Sequence, residues 1–465
     1  MNNWLTLPAL ALAFATASEM PAAQAGVSAD EARQLGTKLT LVGAEPAGNA
    51  DGSIPPYTGG IMALAGRPAP IPHDKGYRYP DPFATDKKIV SITAQNLEQY
   101  GNLLSPGQKA LLRRLPGFRM DVYPTHRTAS YPDWVLKNTV RNAEVAQLAG
   151  SSEGDGVKGA YGGIPFPIPK NGSEVIWNHY LHWQPALEQY RFYGSLVDAD
   201  GGVTDLGEAE LSAANLYYDP KAGKLDGMFY SIQYYRQLSP ETAAGNLFLF
   251  EYPVDYSVKD QTTWFYSPGL RRVRMAPEFT YDTPVSTYGG AQNYDELNLI
   301  SGRLDKFDFK LAGKKEMLVP YNCYRVDSDE AQKADVVGPK YPNPDLIRYE
   351  KHRVWVVEAT LKPGERHVSS RRTFFVDEDS WKVLLTESYD QAGSIYRVIY
   401  QATFPTYDSM DTTFVADAGG SGYDMSKGNY FFTHHAGPKG FFKLGKDLPN
   451  LSTYTPEAMA GKGVR

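Results

Sequence analysis

The chain has 465 residues, 42% of them hydrophobic and 13% aromatic, so it can bury a large core and falls outside the disordered class. Its length admits one large β domain or a few ordinary ones. A formal net charge of −6, a pI near 5.8 and the lack of any block of Lys and Arg exclude a nucleic-acid footprint.

Residues 1–25 read as an export signal. Leu5 to Ala17 is an apolar run too short to span a bilayer, and Ala23-Gln24-Ala25 fits the small-x-small cleavage pattern, so the mature chain is predicted to begin near Gly26 in the periplasm. The start, MNNW, supplies only the terminal amine as positive charge. Ser28-Ala29-Asp30-Glu31 has capping-box spacing for a short helix, with Gly36 as its C′ residue. Residues 41–90, rich in Gly and Pro, are expected to wrap the surface in extended form. Helical signals follow at Thr93 to Tyr100, from Ser105-Pro106 to Leu115, and from Asp133 to Leu148. Residues 150–160 read as a Gly-rich loop.

From about Glu188 the chain becomes strand after strand: EQYRFYGSLV, NLYYD, MFYSIQYYR, NLFLFEY and TTWFY, then a meander over Arg353 to Phe404. Its turns are explicit. Lys362-Pro363-Gly364-Glu365 suits type II, and Asp390-Gln391-Ala392-Gly393 suits type I. Short turns between so many strands argue for antiparallel pairing. Within the meander, Trp355, Val357, Ala359 and Leu361 alternate onto one face, as do Trp381, Val383, Leu385 and Tyr389. The last 60 residues read as irregular, with aromatic patches at Tyr430-Phe431-Phe432 and Phe441-Phe442. The division expected is therefore 1–25 signal peptide, 26–185 extended and helical, 186–405 antiparallel half-barrel and 406–465 irregular. Cys323 stands alone and cannot form an intrachain disulfide.

Signals of catalysis are weak. Gly154 to Gly159 spells GxGxxG but lacks the strand before and helix after that a dinucleotide site needs. His179 and His182 lie three apart on a short helix and would need a third metal ligand, such as Glu174, His434 or His435. Asp377 and Asp379 sit in a hairpin turn, where Asp serves local backbone bonding. Arg271, Arg272 and Arg274 form a basic cluster that reads either as a charged strand end or as a contact for an anionic head group or acidic partner. The aromatic strands read either as a packed core or as a cavity wall. Burying about fourteen methylenes at roughly 0.8 kcal/mol each gives on the order of 11 kcal/mol, enough to hold a lipid-like ligand after association costs.

Four stretches carry a family resemblance: LTLVGAEPAGNADGSIPPYTGG (39–60), GGIPFPIPKNGSEVIWNHYLHW (162–183), WFYSPGLRRVRMAPEFTYDTP (264–284) and GRLDKFDFKLAGKKEMLVPYNCYR (302–325). Together they resemble domain-of-unknown-function family 1329, exported proteins often labelled outer-membrane lipoprotein-sorting protein. The resemblance implies a periplasmic protein of α+β, mainly β class. Its large curved antiparallel sheet would form an open half-barrel like the Lol carriers, closed by helices over an apolar cavity. It also implies work alongside an RND-type exporter or an outer-membrane protein, and it supplies no catalytic residue, metal or cofactor.

The leading expectation is a carrier for a hydrophobic or lipid-like ligand. Trp355, Trp381, Val383, Leu385, Tyr396 and Tyr400 are the expected cavity lining, and the helices between Thr93 and Leu148 the lid. The alternatives are an outer-membrane β-barrel and a periplasmic hydrolase using His179 or His182.

Overall fold

The computed structural model describes residues 26–73, 76–150, 154–225, 229–285, 288–331, 333–434 and 440–462. The expected signal peptide and His435 lie outside the described residues. Short strands come first: β1 (Ile71–His73), β2 (Gly76–Arg78), β3 (Val90–Ile92), β4 (Met120–Val122), β5 (Gln147–Ala149) and β6 (Gly156–Lys158). Long strands follow: β7 (Leu187–Val197), β8 (Val203–Ala214), β9 (Phe229–Gln237), β10 (Leu247–Pro253), β11 (Thr262–Ser267), β12 (Arg272–Met275) and β13 (Phe307–Pro320). The chain finishes with β14 (Arg348–Leu361), β15 (Arg371–Asp377), β16 (Val383–Tyr389), β17 (Ile395–Pro405), β18 (Val415–Asp424), β19 (Asn429–His434) and β20 (Phe441–Gly445). The helices are α1 (Ala29–Ala32), α2 (Pro106–Arg114), α3 (Asp133–Val145), α4 (Gly172–Tyr180), α5 (Lys333–Val336) and α6 (Pro456–Lys462). None is long and apolar enough to cross a membrane.

The long strands form one antiparallel ladder in the order β12-β11-β10-β9-β8-β7-β19-β18-β17-β16-β15-β14-β13. Two meanders are thus joined where β19 pairs with β7. The first half of β7 pairs instead with β20, and β4 adds a short parallel pairing to β14. The turns behave as their residues dictate. Gly364 sits at φ 86 and Glu365 donates to the Lys362 carbonyl at 3.1 Å, while Gly393 donates to Asp390 at 3.0 Å. Because β13 touches β16 and β17, three and four strands away, the sheet curls. It does not close: among the described residues β12 and β13 are not paired with each other. A transmembrane barrel needs a closed ladder, so the barrel alternative does not fit this geometry.

β12 and β13 are neighbours in sequence yet lie at opposite edges, so residues 276–306 must cross the sheet between them. The concavity is further filled by α4, on which every residue except Glu174 is buried, as expected of a helix enclosed on all sides. Its buried Asn178 is satisfied by the two backbone groups of Phe166, at 2.7 and 2.8 Å. α2 begins at the expected N-cap Ser105, whose hydroxyl and Gln108 form a capping box, and packs on β17. One hydrophobic cluster extends from Val42 to Phe442. A smaller one joins Leu247, Leu249 and Tyr266 to Tyr454 and Met459 on the far face of β10 and β11.

Several expectations are corrected. NLYYD is a 3-10 turn at Leu216–Tyr218, and the helix expected from Thr93 is a 3-10 segment at Leu97–Leu103. The helix from Asp133 stops at Val145, because the chain then straightens to pair β5 with β6 inside what read as a glycine loop. The stretch after residue 405 is not irregular, since it supplies β18, β19 and β20. Glycines hid β18: a Cβ at Gly422 would stand 2.2 Å from Phe431 Cε1, so the neighbouring ring occupies the side-chain space.

Candidate functional site

Strand register builds a feature that alternation alone does not show. Tyr190 lies opposite Leu211, Leu211 opposite Tyr235, Tyr235 opposite Phe248, Phe248 opposite Phe265, and Phe265 opposite Arg274. Directly opposed residues share a face, so these six form one row across β7 to β12. The five apolar members are all half-buried, while Arg274 is exposed. Ring centroids along the row are 5.6 Å apart for Tyr235 and Phe248, and 4.8 Å for Phe248 and Phe265. With strands about 4.8 Å apart, the apolar part spans roughly 19 Å.

The crossing segment roofs this row. Phe279 lies 5.9 Å from Phe248 and stacks on Tyr294 at 4.8 Å. Buried ion pairs fasten the roof to the sheet. Asp295 meets Arg372 at 3.0 Å and His367 at 2.9 Å, and Glu296 meets Arg397 at 2.5 Å. Burial alone would raise the Asp295 carboxyl. The Arg372 charge and the His367 hydrogen bond outweigh it and hold the group below the ordinary carboxylate value.

At the inner end, next to Tyr190 and Leu211, lies a cavity of about 60 Å³. That is space for a few waters, at about 10–15 Å³ each, and well short of the roughly 300–1,000 Å³ of a drug-sized ligand pocket. Its wall is mixed: Val383 and Tyr252 are joined by Gln233, Gln401, Glu188 and the Lys382–Asp417 pair, which meets at 2.8 Å. Burial pushes the Glu188 carboxyl up to about 7, with Lys382 opposing and Asp417 adding to the rise.

His179 and His182 line the same cavity, but their nitrogens are spent. His179 Nδ1 accepts from the Val383 amide at 3.1 Å, which makes Nε2 the donor to the Asn298 carbonyl at 3.0 Å. His182 Nδ1 donates to the His179 carbonyl, and its Nε2 accepts from Gln184 at 2.9 Å. Burial and the nearby Lys382 charge push His179 down to about 3 and His182 well below its ordinary value, so both rings stay neutral. No lone pair is left for a metal or for base catalysis. Glu174, one of the candidate third ligands, lies at the other end of α4, where it accepts from the Lys170 amide. The Gly154 to Gly159 stretch surrounds β6 and receives a Trp177 hydrogen bond at Gly154.

The six residues expected to line a cavity are not brought together. Val383 lines the cavity described above. Trp355 and Trp381 stack at 5.9 Å elsewhere, with the Trp381 indole donating to the Val42 carbonyl. Leu385 and Tyr400 face each other across β16 and β17 beside Gln108 and Leu111 of α2. Tyr396 bonds Ser369 at 2.9 Å. Of the basic cluster, Arg271 occupies the β11–β12 turn at φ 47. Arg272 and Arg274 share the row's face, with Arg274 5.5 Å over Phe265 and paired to Glu278 at 2.7 Å. The row residues Tyr190, Tyr235, Phe248 and Phe265 stand in strands legible from the sequence, whereas β8, which carries Leu211 between them, was not expected, and neither was the register that aligns them.

Comparison with known proteins agrees with the motifs. The family model for a protein of unknown function, DUF1329, matches residues 91–460. An uncharacterized protein of Pseudomonas aeruginosa is 37% identical over 448 residues, covering 95% of each chain. Among solved structures, a DUF1329 family protein from Desulfovibrio piger matches at 12% identity and TM-score 0.42, over 62% of this chain and 97% of its own. A LolA superfamily protein from Nitrosomonas europaea matches at 9% identity and TM-score 0.35, over 62% of this chain and all of its own. The long family match and the Pseudomonas relative establish that this chain belongs to the DUF1329 family.

Proposed function

We propose that the protein is a periplasmic carrier for an elongated hydrophobic ligand, which lies along the Tyr190–Leu211–Tyr235–Phe248–Phe265 row. The observation that carries this reading is the row itself: five apolar side chains on five adjacent strands, all half-buried and none fully buried. A row built only for packing would be expected to lose that residual exposure to the roof. The polar inner end around Glu188 and Lys382 would receive a head group. Arg271, Arg272 and Arg274 mark the outer end, where an anionic group or an acidic partner would meet the protein. An RND-type exporter or an outer-membrane protein is the proposed recipient. Loading requires the 276–306 roof to lift, because the closed cavity is too small. Val383 is the one expected lining residue that keeps its role in this reading.

The test is direct. Organic extracts of the purified protein are analysed by mass spectrometry, and uptake of a fluorescent fatty acid is titrated for wild type and for Phe248→Ser. The proposal expects co-purified lipid, and at least tenfold weaker uptake by the variant as one well-buried aromatic contact is lost. Absence of lipid together with equal uptake by both proteins refutes it. Release of the mature chain by osmotic shock, with its N-terminus near Gly26, tests the location.

A further inference from the structure

A second buried polar cluster lies away from the row, where β14 and the end of β15 meet residues 121–131. Asp377, at the end of β15, is fully buried. Its Oδ2 accepts three hydrogen bonds, from Tyr321 Oη at 3.1 Å, Ser380 N at 2.9 Å and Ser380 Oγ at 2.6 Å. Its Oδ1 has no hydrogen-bond partner. A buried carboxylate oxygen in that state calls for an explanation, and an ion is one of the few available.

The surroundings supply the rest of a metal site. His352, one strand over in β14, bonds through Nε2 to Glu350 Oε2 at 3.2 Å. Glu350 also accepts from Arg348 Nε, Asn322 Nδ2 and the His126 amide, so it is an acceptor throughout and His352 Nε2 is the donor. The lone pair therefore sits on His352 Nδ1, which is 3.9 Å from Asp377 Oδ1, too far for a hydrogen bond but suited to a shared ion. Asp379 is held by the Arg127 fork at 2.8 and 2.7 Å, which takes one lone pair from each oxygen and leaves another free. One donor atom from each of His352, Asp377 and Asp379 lies within 4.8 Å of the others. The charges point the same way. Arg127, Arg348, Arg353 and Lys314 are each paired to Asp379, Glu350, Glu378 or Asp86, and among the described residues no Lys or Arg is paired to Asp377.

We propose that His352, Asp377 and Asp379 bind a divalent transition-metal ion through one imidazole nitrogen and two carboxylate oxygens. An imidazole whose other nitrogen donates to a carboxylate, with ligating carboxylates themselves hydrogen-bonded, is the outer-shell pattern of protein metal sites. The mixed nitrogen and oxygen set suits zinc or manganese better than calcium. Because the site is buried, the ion acts as a staple. It pins Arg127 and, through the Tyr131 hydrogen bond to the Asp379 carbonyl, the N-terminal region against the sheet.

The full-length mature protein is stripped with EDTA, dialysed against zinc, manganese or calcium, and assayed by elemental analysis and thermal unfolding. Expected are stoichiometric zinc or manganese and a Tm rise of roughly 5 °C. Asp377→Asn should lose both, while metal-free Asp377→Asn unfolds no lower than the metal-free wild type, because the substitution removes an uncompensated charge. That second comparison separates a lost ligand from a damaged fold. Cobalt(II) loading provides an independent readout: visible ligand-field bands in the wild type and none in His352→Gln. Failure of the wild type to take up either transition metal overturns the proposal, as does equal binding and an equal Tm rise in Asp377→Asn.

Discussion

Arg372→Met tests whether the segment over the aromatic row is a roof that can open. Arg372 is buried and meets Asp295 Oδ2 at 3.0 Å, and it also donates to the Leu299 carbonyl at 3.1 Å. Methionine fills much of the same volume but leaves Asp295 buried with only His367. Breaking a buried pair by removing one partner costs about 3–5 kcal/mol. The global fold need not lose that much, because lifting residues 288–302 returns Asp295 to water. The cost should therefore appear as local opening, raised about a hundredfold to a few thousandfold. Hydrogen exchange read by mass spectrometry measures this: peptides from 288–302 should accelerate by that factor, while peptides from β17 at 395–405 keep wild-type rates. Asp295→Asn combined with Arg372→Met removes the stranded charge and should restore a large part of the protection. Uptake of a fluorescent fatty acid should quicken in the single variant. Unchanged exchange at 288–302, or equal acceleration at 395–405, would refute the idea of a separately opening roof.

Acid should open the same latch. The Asp295 pKa is held below its unfolded value, so its stabilisation is complete above about pH 4–5 and is lost as pH falls through the folded value; exchange at 288–302 should rise below pH 4 while neutral conditions protect it. Glu188 runs the opposite way. Its carboxyl, raised to about 7, costs stability as pH climbs from about 4.5, so Glu188→Gln should raise Tm at pH 8.5 by an amount worth at most about 3 kcal/mol and change little at pH 5. Gly422→Ala places a Cβ 2.2 Å from Phe431 Cε1 and should destabilise by about 1–3 kcal/mol in a denaturant titration.

Much of the architecture is legible in the residues, and the reasons are local. Ser105-Pro106 sets a helix start because a capping hydroxyl and a fixed proline φ need no distant partner. Gly364 and Gly393 set turns for the same reason, and the run of aromatic and β-branched segments after Glu188 sets an antiparallel sheet. The failures are equally physical. β18 escaped notice because its glycines carry no pattern of their own; their place is fixed by Phe431 and Gln401 on neighbouring strands. Asp377 and Asp379 read as ordinary turn residues, since nothing local shows that His352, 25 positions before Asp377 in sequence, sits beside them.

The sequence by itself determined the family, the sheet and its turns, because each rests on motifs or on interactions within a few residues. Only the tertiary structure decided which residues face one another. Alternation assigns each strand two faces, but register depends on pairing partners far apart in the chain, and one residue of slip exchanges the faces. That register aligned Tyr190 to Phe265 into a row, scattered the six expected lining residues, and spent the nitrogens of His179 and His182 on backbone and glutamine bonds. The crossing of residues 276–306 was equally invisible, because it follows from β12 and β13 lying at opposite edges of a sheet that closes on neither.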